Sequence, residues 1–146
     1  MSTAAKSETK VARLRLAGGE AFVGESPSGH AIVTSFAHEQ VTAPTPMELI
    51  LIAIGGCTGA DVQSILEKKR QRVTLYEIEV RGERRAEHPR IYTSIEVIHR
   101  LRGHDIDPRA VAHAIELSET KYCSVSAMLR EAASITMRYE ITDEEE

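Results

Sequence analysis

The chain has 146 residues, 42% of them apolar and 27% charged, with a formal net charge of -4. These values fit one packed domain, not a disordered chain, and leave no electrostatic footprint for nucleic acid. Two cysteines are too few for a disulfide framework or a four-cysteine zinc site.

Residues 1–9 are small and polar, with no apolar core of a signal peptide, and are expected to be disordered. Residues 10–142 read as a single domain and residues 143–146 as a solvated acidic tail. Val11 to Leu16 alternates and turns at Gly18-Gly19 into Ala21-Phe22-Val23, a hairpin signal. Ser26-Pro27-Ser28-Gly29 is a second turn, followed by a short strand from His30 to Thr34.

Thr45-Pro46-Met47-Glu48 has the form of a capping box with proline at the first helical position. Leu49, Ile52, Ala53, Gly56, Cys57 and Ala60 then recur at helical spacing, so Cys57 belongs to an apolar stripe. Ile50 and Ile54 make the opposite side apolar too, which predicts a first half buried all round. The longest apolar run, Leu49 to Cys57, is too short to cross a bilayer, and a cytoplasmic location is expected. The helix is expected to end in the cations Lys68 to Arg72.

Two alternating strands follow, Tyr76 to Glu83 and Ile91 to Arg102, joined by Arg84 to Arg90. Asp107-Pro108 opens a second helix with Val111, Ala114, Ile115 and Ser118 on one face. A short helix begins near Ser124, and Ile135, Met137, Tyr139 and Ile141 alternate as a last strand. The order predicts an α+β fold with largely antiparallel pairing. One sheet layer cannot cover a helix buried on all sides, and Gly55-Gly56 in mid-helix invites close backbone approach. Both features predict a homodimer.

The cysteines are the residues most open to a chemical role. In a reducing compartment a pair of thiols serves transient redox chemistry more readily than scaffolding. Attack requires the thiolate, and an apolar site raises the thiol above its usual pKa, so Cys57 needs a cation or hydrogen-bond donor nearby. Arg84 is the first choice, then Arg13, with Arg15, Arg85 and Arg90 as alternatives. Glu48 satisfies the capping box without any catalytic duty. Asp61 reads as a surface or interhelical polar group, Tyr122 as core filler and His99 as a hydrogen-bonded core histidine. The six histidines show no metal-ligand spacing, and neither a metal nor an organic cofactor is expected.

The run Pro46-Met47-Glu48-Leu49-Ile50-Leu51-Ile52-Ala53-Ile54-Gly55-Gly56-Cys57-Thr58, with Asp61-Val62, resembles the OsmC/Ohr family. So does Leu117-Ser118-Glu119-Thr120-Lys121-Tyr122-Cys123-Ser124-Val125. Gly82-Glu83-Arg84-Arg85 and His88-Pro89-Arg90-Ile91-Tyr92-Thr93 are similar to its OsmC-like (YhfA-type) branch. The resemblance implies antiparallel sheets wrapped around long central helices in an intertwined homodimer. It also implies a thiol-dependent peroxidase for organic hydroperoxides, with Cys57 peroxidatic and Cys123 resolving. The disulfide formed would be reduced by a dithiol or lipoyl protein.

The substrate would enter an apolar pocket of Leu49, Ile52 and Phe36, with Arg84 and Glu48 as the candidate charged groups beside Cys57. The family's activating glutamate position is Met47 here, and its arginine position after Gly-Gly is Glu20. Those departures keep a second reading open, a redox-sensing or small-hydrophobic-ligand-binding dimer with little turnover.

Overall fold

A computed structural model describes residues 5–145. The first four residues of the expected disordered segment, and the last residue of the acidic tail, lie outside the described residues. The chain forms two compact units that meet between Leu49 and Ile50, inside one helix and not at a linker.

The N-terminal unit is an antiparallel sheet of three strands, β1 (Arg13–Gly18), β2 (Ala21–Glu25) and β3 (Ala31–Ser35), in that order. Its first turn runs through Gly18, Gly19 and Glu20, all at positive φ (81°, 59° and 57°). Glycine adopts that region at little cost, whereas Glu20 bears a side chain there, with its carbonyl accepting the Phe36 N–H at 2.8 Å. Leu14, Leu16, Val23, Ile32 and Val33 are exposed, so the sheet presents apolar side chains outward.

Helix α1 (Pro46–Lys68) starts as the sequence predicts. The Thr45 N–H donates to Glu48 Oε1 at 2.9 Å, and the Glu48 N–H donates to Thr45 Oγ1 at 3.3 Å. Both bonds satisfy backbone donors that a helix start leaves unpaired. At 23 residues, α1 has the length and apolar content of a membrane-crossing helix, which its nine-residue apolar run did not suggest. The helix ends in a left-handed residue, Arg70 (φ 56°), with Gln71 N–H returning to the Leu66 carbonyl. Arg72 already belongs to the next strand.

The C-terminal unit is a second sheet of three strands, β4 (Arg72–Arg84), β5 (Tyr92–His104) and β6 (Ser134–Asp143), with helices α2 (Pro108–Leu117) and α3 (Ser124–Leu129) between β5 and β6. Both long strands extend past their predicted ends. β4 and β5 pair antiparallel from Arg72↔His104 to Arg84↔Tyr92. β5 and β6 pair parallel, from Ser94↔Ser134 to Gly103↔Asp143, so this sheet is mixed and not purely antiparallel. The cause is the helical crossover, which carries the chain back to the end where β5 began.

Val62 and Leu66 of α1, Leu101 of β5, Ile106, and Ala110, Val111, Ala114 and Ile115 at the start and along α2 form the core of this unit. Each large side chain buried there contributes about 1.5–3 kcal/mol.

The side of α1 that the chain itself buries carries Ile54, Gly55, Thr58, Gly59, Val62 and Leu66. The chain by itself therefore covers one side of α1, not the whole of its first half. Ile52 is 61% exposed, Ala53, Gly56 and Ala60 are also exposed, and Cys57 is half-buried. The glycines divide along the same line. A Cβ on Gly55 would lie 3.2 Å from Val80 Cγ2, and one on Gly59 would collide with Ile78 Cδ1, whereas one on Gly56 would meet nothing. Gly55 and Gly59 therefore let α1 sit close on β4, and Gly56 belongs to the open face.

Candidate functional site

Cys57 and Asp61 stand one turn apart on α1, and residues four apart share a helix face. Cys123 reaches them from the crossover. A single π-helical turn, Ser118–Tyr122, follows α2, and the Cys123 N–H closes it on the Ser118 carbonyl at 2.8 Å. Cys123 itself is extended (φ -76°, ψ 100°) and caps α3. Its Sγ accepts the Ser126 N–H at 3.3 Å, and the Ser126 hydroxyl donates to the Cys123 carbonyl at 3.1 Å. A sulfur here occupies the place that serine or aspartate oxygen usually takes at a helix start. These constraints bring Cys57 Sγ, Cys123 Sγ and a carboxylate oxygen of Asp61 within 4.8 Å of one another. Both thiols are free.

A chain of hydroxyls fixes the carboxylate. Ser118 Oγ donates to Asp61 Oδ2 at 2.9 Å and lies 2.8 Å from Thr58 Oγ1, which is itself 3.6 Å from Met137 Sδ. Thr58 and Ser118 are both fully buried. Such buried hydroxyls are costly unless bonded, so the chain pins α1 to the crossover at the level of the thiols. Burial pushes the Cys123 thiol up from its ordinary value; the Ser126 bonds oppose this, and neighbouring Cys57 adds to the rise.

Behind this layer, Tyr76 Oη and His99 Nδ1 are 2.6 Å apart. Burial pushes Tyr76 up, with the Asp61 charge adding to the effect. Burial also lowers His99 to about 4. The reading of His99 as a hydrogen-bonded core residue holds for one nitrogen only. Its Nε2 is the single buried side-chain nitrogen or oxygen without a partner among the described residues.

The other predicted site residues are placed as follows. Glu48 is engaged in the capping box, and its hydrogen bonds from Thr45 hold its carboxyl below the usual range. Arg84 Nε donates to the Arg90 carbonyl at 2.7 Å, and its guanidinium lies 6.0 Å from the centre of the Tyr92 ring. Phe36 stands against Phe22 with ring centres 5.5 Å apart, in the N-terminal unit, where Leu49 is half-buried. Ile52 borders an open apolar depression of about 460 Å³ formed with Leu51, Gly55, Gly56, Tyr76, Ile78 and Val80. Tyr122 is 50% exposed and is not core filler in this chain, with the Lys121 ammonium 5.2 Å from the centre of its ring.

What sequence reading missed is Asp61 as third member of the cluster, with Thr58 and Ser118 behind it. The fourfold spacing from Cys57 was the available signal. Nothing in the sequence pointed to the π-helical turn that delivers Ser118.

A model of the OsmC-like protein family matches residues 37–138, a span that holds both cysteines and Asp61. The protein YhfA of Escherichia coli (strain K12) is 45% identical over 130 residues, which cover 89% of this chain and 96% of YhfA. The crystal structure of a hypothetical protein from Aquifex aeolicus VF5 is 36% identical with a TM-score of 0.84, covering 95% of this chain and 100% of that one. An organic hydroperoxide resistance protein from Elizabethkingia anophelis is 11% identical and shares the fold at a TM-score of 0.68, over 94% of this chain and 99% of that one. By family match and by identity to YhfA, the chain belongs to the OsmC-like protein family.

Proposed function

We propose that the protein is a thiol-dependent peroxidase for organic hydroperoxides, working as a homodimer. The observation that carries this is the approach of the two sulfurs, Cys57 half-buried and Cys123 buried, to within 4.8 Å. Membership of the family supports it, as does the fold shared with proteins named for organic hydroperoxide resistance.

The Cys57 thiolate attacks the terminal peroxide oxygen. An S–O bond forms, the O–O bond breaks, and the alcohol leaves with a proton. The Cys123 thiolate then attacks the Cys57 sulfenic sulfur, forming S–S and releasing water, at the reversible end of cysteine oxidation. A dithiol such as a lipoyl protein returns two electrons by thiol–disulfide exchange and is itself oxidised to a disulfide. Asp61 is the candidate acceptor for a thiol proton, by its nearness to both sulfurs, and Arg84 remains the first candidate for the cation beside Cys57. The exposed apolar stripe of Ile52, Ala53, Gly56 and Ala60, and the outward Leu14, Leu16, Ile32 and Val33, give a second copy apolar surface to cover. Leu49, Ile52 and Phe36 are proposed to receive the organic part of the substrate.

The test is consumption of cumene hydroperoxide and of hydrogen peroxide with a dithiol reductant, for wild type, Cys57→Ser and Cys123→Ser. Rapid loss of the organic peroxide that Cys57→Ser abolishes is the expected result. Turnover no faster than free thiol in all three proteins would overturn the enzyme. The second reading, a redox-sensing or ligand-binding dimer, is favoured by Glu48 being engaged at the helix cap and Arg84 by Arg90 and Tyr92.

A further inference from the structure

We infer that the reduced site is also a binding site for a thiophilic divalent cation of the zinc type, held by Cys57 Sγ, Cys123 Sγ and a carboxylate oxygen of Asp61. The donor atoms already lie within 4.8 Å of one another. Thiolates select soft or borderline ions over magnesium and calcium, and a carboxylate is an ordinary third ligand for zinc. Zinc bonds of about 2.0–2.3 Å require these donors to close in only slightly around a common centre.

The supports are those of a built site and not of a chance cluster. Two ligands share one helix face at the fourfold spacing that paired helical metal ligands use, and the third is fixed at the start of α3. The carboxylate is held from behind by Ser118 Oγ at 2.9 Å, itself backed by Thr58. Such outer hydrogen bonds orient a ligand and raise affinity. Asp61 also borders an open depression of about 420 Å³ with Ser64, Ile65, Lys68, Lys69, Leu117 and Tyr122, which offers the ion a route from solvent.

Three protein ligands leave a fourth position for water. Binding replaces two thiol protons, which go to solvent, with two metal–sulfur bonds, and no electrons move. The same two sulfurs cannot then join to each other, so cation and disulfide exclude one another. The site does not depend on peroxide turnover.

The test is anaerobic titration of the reduced, metal-free full-length protein with Co²⁺, then with Zn²⁺. One equivalent of Co²⁺ giving thiolate-to-cobalt charge-transfer absorption and tetrahedral visible bands, both abolished by Zn²⁺ and by prior oxidation to the disulfide, is expected. Cys57→Ser should lose the charge-transfer signature, and Asp61→Asn should weaken binding by roughly tenfold or more. Far-ultraviolet circular dichroism identifies any variant that has not folded. Cobalt that stays octahedral without charge transfer in the folded wild type, or equal affinity in folded Asp61→Asn, would overturn the inference. A protein that binds Co²⁺ in this way but consumes no peroxide would keep the inference and lose the enzyme. One that consumes peroxide without binding Co²⁺ would do the reverse.

Discussion

Tyr76 and His99 share a 2.6 Å hydrogen bond inside the C-terminal unit, and the remaining nitrogen of His99 is buried with no partner. Burial lowers His99 from 6.5 to about 4, so it is neutral in the folded protein and takes up a proton more easily when unfolded. Stability from this residue is therefore full above about pH 6.5 and is lost as pH falls towards about 4, by about 3 kcal/mol. Urea unfolding midpoints measured across that window should fall more steeply for wild type than for His99→Gln. Parallel slopes would show that His99 does not titrate with folding.

Ser118→Ala should destabilise the protein by about 1–3 kcal/mol, because it strips the fully buried Thr58 hydroxyl and the Asp61 carboxylate of a shared partner. Denaturant unfolding at constant m-value measures the loss. A change under about 0.5 kcal/mol would mean that water replaces the hydroxyl at no cost.

Gly59→Ala sets two effects against each other. Alanine gains about 1 kcal/mol of helix propensity, and its Cβ meets only Ile78 Cδ1, the free end of a half-buried side chain that can turn aside at small cost. Little net change is therefore expected in thermal unfolding, whereas Gly56→Ala has open space around it and no such contact to relieve. A loss beyond about 2 kcal/mol in Gly59→Ala would show that Ile78 is locked in place.

Ile52→Glu places a charge on the exposed apolar face of α1. If a second copy covers that face, an unpaired carboxylate is buried and association weakens strongly. Analytical ultracentrifugation should show dimer for wild type and monomer for the variant. Dimer in both would move the interface elsewhere.

Cys123→Ser should still react once with an organic hydroperoxide and then stall, with one equivalent of sulfenic acid at Cys57 trapped by dimedone. Unabated turnover would remove Cys123 from the cycle.

The sequence made the capping box, the second helix and the run of strands legible, because each is written locally in spacing and turn residues. Direction was less legible. Ile135 to Ile141 alternates whether β6 runs with or against β5, and only the crossover makes it parallel. The apolar stripe through Ile52, Gly56 and Cys57 was visible, but periodicity cannot say whether a chain's own sheet or another molecule covers it. The two thiols were singled out from their motifs. Asp61 was not joined to them because its partner Ser118 sits in a π-helical turn, where ordinary helical counting no longer tells which way a side chain points.

Cys57 lies in mid-helix before the long hairpin of β4 and β5, and Cys123 lies after it. A bond between them would close a loop of roughly 66 residues and remove about 4 kcal/mol of chain entropy from the unfolded ensemble. Such a loop links the first helix to the crossover around the whole C-terminal core, so oxidation would act as a stitch as well as a chemical state. The melting temperature would then report the redox history of the molecule, with the reduced form easier to unfold and to clear.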